Sequence, residues 1–216
     1  MTNLSKTKIA IVCDWLTLSG GAEKIIFGLH QLFPNAPIFT PVYNVENLPE
    51  FKNTDLRTSY LQKFPLAKTK HQYFLLLYPG IFEKLNLDDF DLIISSSHSC
   101  AKGIITSPKT LHISYCHSPM RYAWDNNQNY IKNYNTNFLI KTIAPFFMHK
   151  MRIWDRMTAD RVDHFIANSN YIKNHISKIY HRDSEVIFPF IKSVDFSIGT
   201  KSDYYLAVGR LTAYKK

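Results

Sequence analysis

Only three cysteines, Cys13, Cys100 and Cys116, stand in this chain of 216 residues. An odd set without regular spacing excludes a disulfide framework and a zinc site, and it fits a reducing cytoplasm. Long apolar runs are missing as well. The longest uncharged stretch, Ile25 to Val45, is interrupted by Pro34, Asn35, Pro37 and Pro41, so it is not a spanning helix. Met1 to Lys8 is polar and leads straight into a strand-like run, so no secretory signal is expected. There is no internal repeat and no low-complexity tract. Gly-x-Gly-x-x-Gly and a Walker lysine pattern are absent, as is an acidic ribose-binding residue, which counts against a dehydrogenase, a methyltransferase or a P-loop enzyme.

Negative charge is also in short supply. Asp and Glu number 17 against 26 Lys and Arg, a net charge of +9. The bias is steepest from Ala101 to Arg182, where twelve Lys and Arg face four Asp. Acidic partners follow: an anionic membrane surface or a phosphorylated substrate. Nucleic acid is not expected, because no recognisable module is present and the basic residues are spread along helices that also carry core faces.

What the chain does contain is a series of short apolar runs, each followed by a polar loop. Lys8 to Cys13 reads as a central parallel strand. Asp14, Trp15 and Thr17-Leu-Ser-Gly-Gly21 follow, and Ala22, Ile25, Ile26, Leu29, Leu32 and Phe33 then repeat at helical spacing until Pro34. Gly20 and Gly21 lie where backbone amides and the positive end of a helix can approach a phosphate, or they simply form a tight turn. Ala36 to Tyr43 reads as a second strand, and Asn44 to Thr58 as polar and irregular. Ser59 to Leu87 predicts one or two helices broken at Pro65 and at Pro79-Gly80.

Asp91 to Ser95 is a further buried strand, ending in Ser95-Ser-Ser-His-Ser99. Asp89-Phe-Asp91 has the form of a sugar-transferase metal motif. It precedes the strand, whereas open parallel sheets bind ligands beyond the carboxyl ends of their strands, so it is not read as a metal site. The richest stretch is Leu111 to Asp125. A buried strand, Leu111 to Cys116, gives way within nine residues to His117, Ser118, Arg121, Tyr122, Trp124 and Asp125, hinged by Pro119. Packing alone does not require that mixture. Arg forks onto phosphate, aromatic rings stack on sugar or base, and His moves protons near neutral pH.

Asn137 to Arg161 predicts a long helix with Leu139, Ile143, Phe147, Met151, Trp154 and Met157 or Thr158 on one face, a kink at Pro145 and a basic side of Lys141, Lys150, Arg152 and Arg156. Val162 to Ala167 is a strand, and Asn168-Ser-Asn170 caps the next helix. Capping is the favoured reading of Ser169, although a cap at a strand end can still aim a hydroxyl into a cleft. Ser184 to Phe190 gives one more strand. The fold class is therefore α/β, a doubly wound and mainly parallel Rossmann-like sheet. It occupies residues 1–190, followed by a linker over 191–203 and the first strand of a second domain over 204–216. Four strand ends carry polar loops, and in a parallel sheet all four emerge on one edge as a ligand cleft.

Taken in order, Asp14-Trp15 with Gly20-Gly-Ala-Glu23, Arg57-Thr-Ser-Tyr-Leu61, Asp91-Leu-Ile-Ile-Ser-Ser-Ser-His98, Ala101-Lys-Gly103, Cys116-His-Ser-Pro-Met-Arg-Tyr-Ala-Trp-Asp125, Arg161-Val-Asp-His-Phe-Ile-Ala-Asn-Ser169 and Val208-Gly-Arg-Leu-Thr-Ala-Tyr-Lys215 span nearly the whole sequence. In this ordered set the chain resembles the amino-terminal half of the family 4 retaining glycosyltransferases, of GT-B arrangement, and more narrowly bacterial mannosyltransferase-type enzymes of cell-surface polysaccharide synthesis.

The resemblance implies a nucleotide sugar as donor, GDP-mannose or a relative, and a lipid-linked glycan as acceptor at the inner face of the cytoplasmic membrane. It implies that Gly20, Gly21, Arg210 and Lys215 attend the donor diphosphate, with cations in place of a metal and no cofactor. It places His117 near the reacting sugar as a positioning or electrostatic group, with Ser169 close by. His98, Ser118, Arg121, Tyr122 and Trp124 are then expected on the acceptor or sugar. The family's second domain would begin where this chain stops, so a separate carboxyl-terminal donor domain is an expected partner, and the 216 residues alone are expected to turn over little. Two alternatives stand beside this: a non-catalytic binding subunit of a split transferase, and an unrelated nucleotide-binding Rossmann protein.

Overall fold

The computed structural model describes residues 6–124, 138–190, 199–201 and 203–205. Among the described residues seven strands form one sheet: β1 (Ile9–Cys13), β2 (Ile38–Thr40), β3 (Leu56–Thr58), β4 (Leu92–Ser97), β5 (Leu111–Cys116), β6 (His164–Ala167) and β7 (Ser184–Val186). Their order is β3-β2-β1-β4-β5-β6-β7, and every pairing is parallel. The chain therefore has the α/β, Rossmann-like sheet. The order reverses between β1 and β4, the switch point at which open sheets of this kind form a crevice.

The continuous apolar runs are explained by burial on both sides. All five residues of β1 are buried. Ala10 and Val12 enter one core with Phe39, Ile93, Phe82 and Met151, while Ile9, Ile11 and Cys13 enter another with Ile26, Ile38 and Phe51. Alternate side chains thus feed opposite layers, as strand pleating demands. Each fully buried Val, Leu or Ile contributes about 1.5–3 kcal/mol. Helix α1 (Gly21–Leu32) buries Ile25, Ile26 and Gly28, and its end before Pro34 is where the sequence places it.

Several expectations shift. Proline at 79 opens a helix instead of breaking one: α2 spans Tyr78–Glu83, and a first-turn proline loses no helical hydrogen bond. The stretch before it forms short 3-10 turns, Tyr60–Lys63 and His71–Leu77, in place of the one or two helices expected there. Asn44 to Thr58, read as irregular, contains the edge strand β3. The second and seventh strands are also shorter than their apolar runs. Beyond β5 come a four-residue helix, α3 (Arg121–Trp124), then α4 (Phe138–Thr158) with Pro145 inside it, and α5 (Asn170–Tyr180). Among the described residues no helix is long and apolar enough to cross a membrane.

Helix α4 docks by its carboxyl-terminal half, where Met151, Asp155 and Thr158 are buried, whereas Ile143, Phe146, Phe147, Ile153 and Met157 stay exposed. Trp154 lies directly over Gly103: a methyl group added there would sit 2.3 Å from the indole ring. The ring is also held by its Nε1–H, which donates to Glu83 Oε1 at 2.9 Å. Gly103→Ala is therefore expected to destabilise the fold by about 1–3 kcal/mol, the usual cost of overpacking. A urea midpoint indistinguishable from wild type would show that the ring can move aside.

Candidate functional site

The polar ends of β1, β4, β5 and β6, four neighbouring strands, share the carboxyl edge of the sheet. Their last residues run across it in register: Cys13 beside Ser96, Ser97 beside Cys116, and Cys116 beside Ala167. The loops that follow hold the candidate residues. Gly20 is the extended residue before α1 and Gly21 its first residue, so the positive end of a twelve-residue helix faces this edge.

Asp14, the first residue after β1, organises the β4 loop. Its carboxylate is buried and accepts four backbone N–H groups, from His98 and Ser99 at 2.7 and 2.9 Å on Oδ2 and from Cys100 and Ala101 at 2.6 and 2.8 Å on Oδ1. Oδ2 also lies 3.2 Å from His98 Nδ1, and the His98 side chain is 30% exposed. One carboxylate thus fixes both the loop and its imidazole. Trp15 contacts His98 edge-on with ring centroids 4.7 Å apart, and on another side it meets His71 at 4.5 Å and Tyr78 at 5.5 Å.

His117 begins the β5 loop. Its N–H donates to the Ser97 carbonyl at 2.8 Å, and its own carbonyl accepts from Asn168 Nδ2 at 3.0 Å. Its Nε2 lies 2.8 Å from Ser96 Oγ, and its ring is 6.3 Å from that of His98. Burial, and then His98 nearby, lower its pKa to about 4, against the opposing pull of Asp14. His71 is likewise pushed down to about 4 by burial and by His98, and its Nδ1 lies 3.2 Å from Thr17 Oγ1. Both rings are neutral at neutral pH.

The other candidate residues fall into distinct places. Ser169 caps α5, its Oγ accepting from Ile172 N–H at 3.3 Å and donating to Asn168 Oδ1 at 3.0 Å. Tyr122 turns inward, its hydroxyl 2.7 Å from Ser99 Oγ, and burial raises its pKa. The Trp124 indole N–H donates to buried Asp155 at 2.7 Å. Ser118 is half-buried, with its backbone amide directed at the Cys116 thiol, and Arg121 is exposed. Asp125, Arg210 and Lys215 lie outside the described residues, as do most of the linker and the start of the second domain.

The edge therefore unites Gly20, Gly21, His98, His117 and Ser169, while Tyr122 and Trp124 brace the loops from within. Two contributors escape a reading of the sequence alone. Asp14 sits beside a strand without a flanking motif to mark it as a loop clamp, and His71 is embedded among lysines. The Asp91 carboxylate, at the opposite edge, accepts the amide of Lys8 at 2.9 Å. Among the described residues no three His, Cys, Asp or Glu side chains converge as metal ligands. No protein-family model and no curated protein matches this chain.

Proposed function

We propose that this domain is the acceptor-side half of a retaining glycosyltransferase, moving a hexosyl group, mannosyl foremost, from a nucleoside-diphosphate sugar to a lipid-linked precursor of a cell-surface polysaccharide. The observation that carries the reading is the meeting of two imidazoles from adjacent loops, His98 and His117, at the edge towards which α1 directs its positive end. Such an edge suits a hydroxyl-rich ligand at the histidines and a diphosphate at the helix start.

In this scheme Gly20 and Gly21 let the donor diphosphate approach the α1 amides, and Arg210 and Lys215 neutralise it as it leaves. His117, neutral and tied to Ser96, orients the sugar and does not attack it. The exposed Ile143, Phe146, Phe147 and Ile153 on α4, with Lys150 placed over the Phe146 ring at 5.6 Å, support peripheral contact with an anionic bilayer at the site of the acceptor.

The test uses cell membranes and cytosol carrying the protein at its natural level. Radiolabelled nucleotide sugars, GDP-mannose first, are supplied, and label is followed into organic-extractable lipid-linked glycan. His117→Ala at equal protein level is expected to lower the initial rate about 10²-fold, the cost of a misplaced reacting group. Wild-type and deletion membranes that label lipid equally with every GDP- and UDP-sugar would refute the proposal.

A further inference from the structure

We infer that Asp14 and His98 form a proton-accepting pair at the carboxyl edge of the sheet, in which His98 Nε2 takes the proton of the incoming hydroxyl and Asp14 acts as its positioning residue. This rests on the sugar-transfer reading and assigns to His98 the proton chemistry that position alone would give to His117.

Asp14 is buried, and both its oxygens are already acceptors for backbone N–H groups of residues 98–101. His98 Nδ1 is 3.2 Å from Oδ2. The carboxylate oxygen beside Nδ1 is a charge contact and not a hydrogen bond, and its negative charge favours the tautomer with the proton of the neutral ring on Nδ1. Nε2 is then the basic nitrogen. The ring is held in place by the Trp15 edge contact, and 30% of the side chain is open to solvent.

The neighbours decide between the two histidines. His117 Nε2 is engaged by Ser96 Oγ, and burial keeps that ring from holding a proton at neutral pH. His71 faces Thr17 and Trp15 and is disfavoured as a cation for the same reason. Ser99 Oγ is taken by Tyr122. Asp14 is thus the carboxylate in contact with His98, and it holds the ring in place while Nε2 takes up and releases the acceptor's proton.

In the reaction, the acceptor O–H bond breaks towards Nε2 as the oxygen forms its bond to the anomeric carbon on the face from which the diphosphate departs, so configuration is retained. The bond from that carbon to the donor diphosphate breaks with its electron pair on the phosphate oxygen. His98 passes the proton to that oxygen, so acceptor alcohol and nucleoside-diphosphate sugar become glycoside and nucleoside diphosphate with the imidazole restored.

Two measurements on the full chain test the pair without any sugar donor. Long-range proton–nitrogen spectra of protein labelled with heavy-nitrogen histidine are expected to show His98 as the Nδ1–H tautomer. Diethyl pyrocarbonate, followed by peptide mapping, is expected to modify His98 at least about tenfold faster than His117. An Nε2–H tautomer for His98, or equal modification of the two rings, overturns the pair.

In the membrane assay His98→Gln is expected to reduce transfer about 10²-fold or more with an unchanged unfolding midpoint, and wild-type transfer by that variant overturns the assignment. Asp14→Asn is expected to shift His98 towards the other tautomer. If that variant does not fold, the wild-type spectra decide the question. Failure of the spectra or of the mapping removes the pair, whereas absence of sugar transfer in wild-type membranes removes the substrate reading; the two failures are separate.

Discussion

Replacing Asp155 with alanine is expected to cost this fold about 3–5 kcal/mol, the range for breaking a buried ion pair by removal of one partner. Asp155 is fully buried on α4, and its two oxygens serve three donors. Oδ1 accepts from Lys102 Nζ at 2.6 Å, and Oδ2 accepts from Trp124 Nε1 at 2.7 Å and from the Tyr180 hydroxyl at 2.9 Å. Lys102, itself 1% exposed, spends its other two protons on the Asp155 carbonyl at 3.0 Å and Thr158 Oγ1 at 3.2 Å. Its charge also lies 5.0 Å from the Tyr180 ring centroid.

The network joins the segment after β4 to α3, α4 and α5. Because every donor is matched, loss of the carboxylate strands an ammonium, an indole N–H and a phenol in a dry interior. Lys102→Met strands the carboxylate instead and is expected to cost a similar amount. The double variant Lys102→Met/Asp155→Leu is expected to cost clearly less than the sum of the singles, since no charge is left behind. Denaturant unfolding of the four proteins closes the cycle. Additive losses, or a loss below about 1 kcal/mol for Asp155→Ala, would show that water reaches the pair.

That network also marks the boundary of what hydrophobic patterning can reveal. The strands β1, β4, β5 and β6 are legible because a strand covered on both faces must be apolar nearly throughout, and their order in the chain is enough to bring their polar ends to one edge. Helix α4 is legible as a helix, yet its docked face runs through Met151, Asp155 and Thr158. A search for apolar spacing passes over an aspartate whose charge is balanced by a lysine 53 residues earlier.

The edge strand β3 is hidden for a related reason. Leu56-Arg-Thr58 pairs through its backbone to β2 and leaves both Arg57 and Thr58 exposed, so its side chains carry no sign of burial. At the carboxyl edge, His98 and His117 announce themselves as polar residues at strand ends. Asp14 and His71 acquire their roles only when the β4 loop and the turn at 71–77 fold against Trp15.

The second large effect is acid sensitivity. Three histidines, His71, His112 and His117, have pKa values lowered by burial from 6.5 to about 4. His112 is wholly buried, with Nε2 2.8 Å from Ser95 Oγ and Nδ1 3.3 Å from the Arg161 carbonyl. The unfolded chain protonates these rings near their ordinary pKa, whereas the folded chain resists until about pH 4. Between those limits the unfolded state binds more protons, so stability rises with pH. Their destabilising effect is absent above the ordinary histidine pKa, grows as pH falls through it, and levels off below the lowered values.

Each ring acting alone would withdraw on the order of 2–3 kcal/mol across that window. Three together are comparable with the whole stability of an ordinary domain, about 5–15 kcal/mol. Unfolding free energies measured between about pH 7 and pH 4.5 are expected to fall steeply, with an excess uptake approaching three protons. His112→Gln removes one titrating ring and keeps a side chain able to hydrogen-bond to Ser95, so its slope is expected to be shallower by one proton even if the variant starts from lower stability. A flat profile for the wild type, or parallel slopes for wild type and variant, would mean that these imidazoles take up protons in the folded protein as readily as in water.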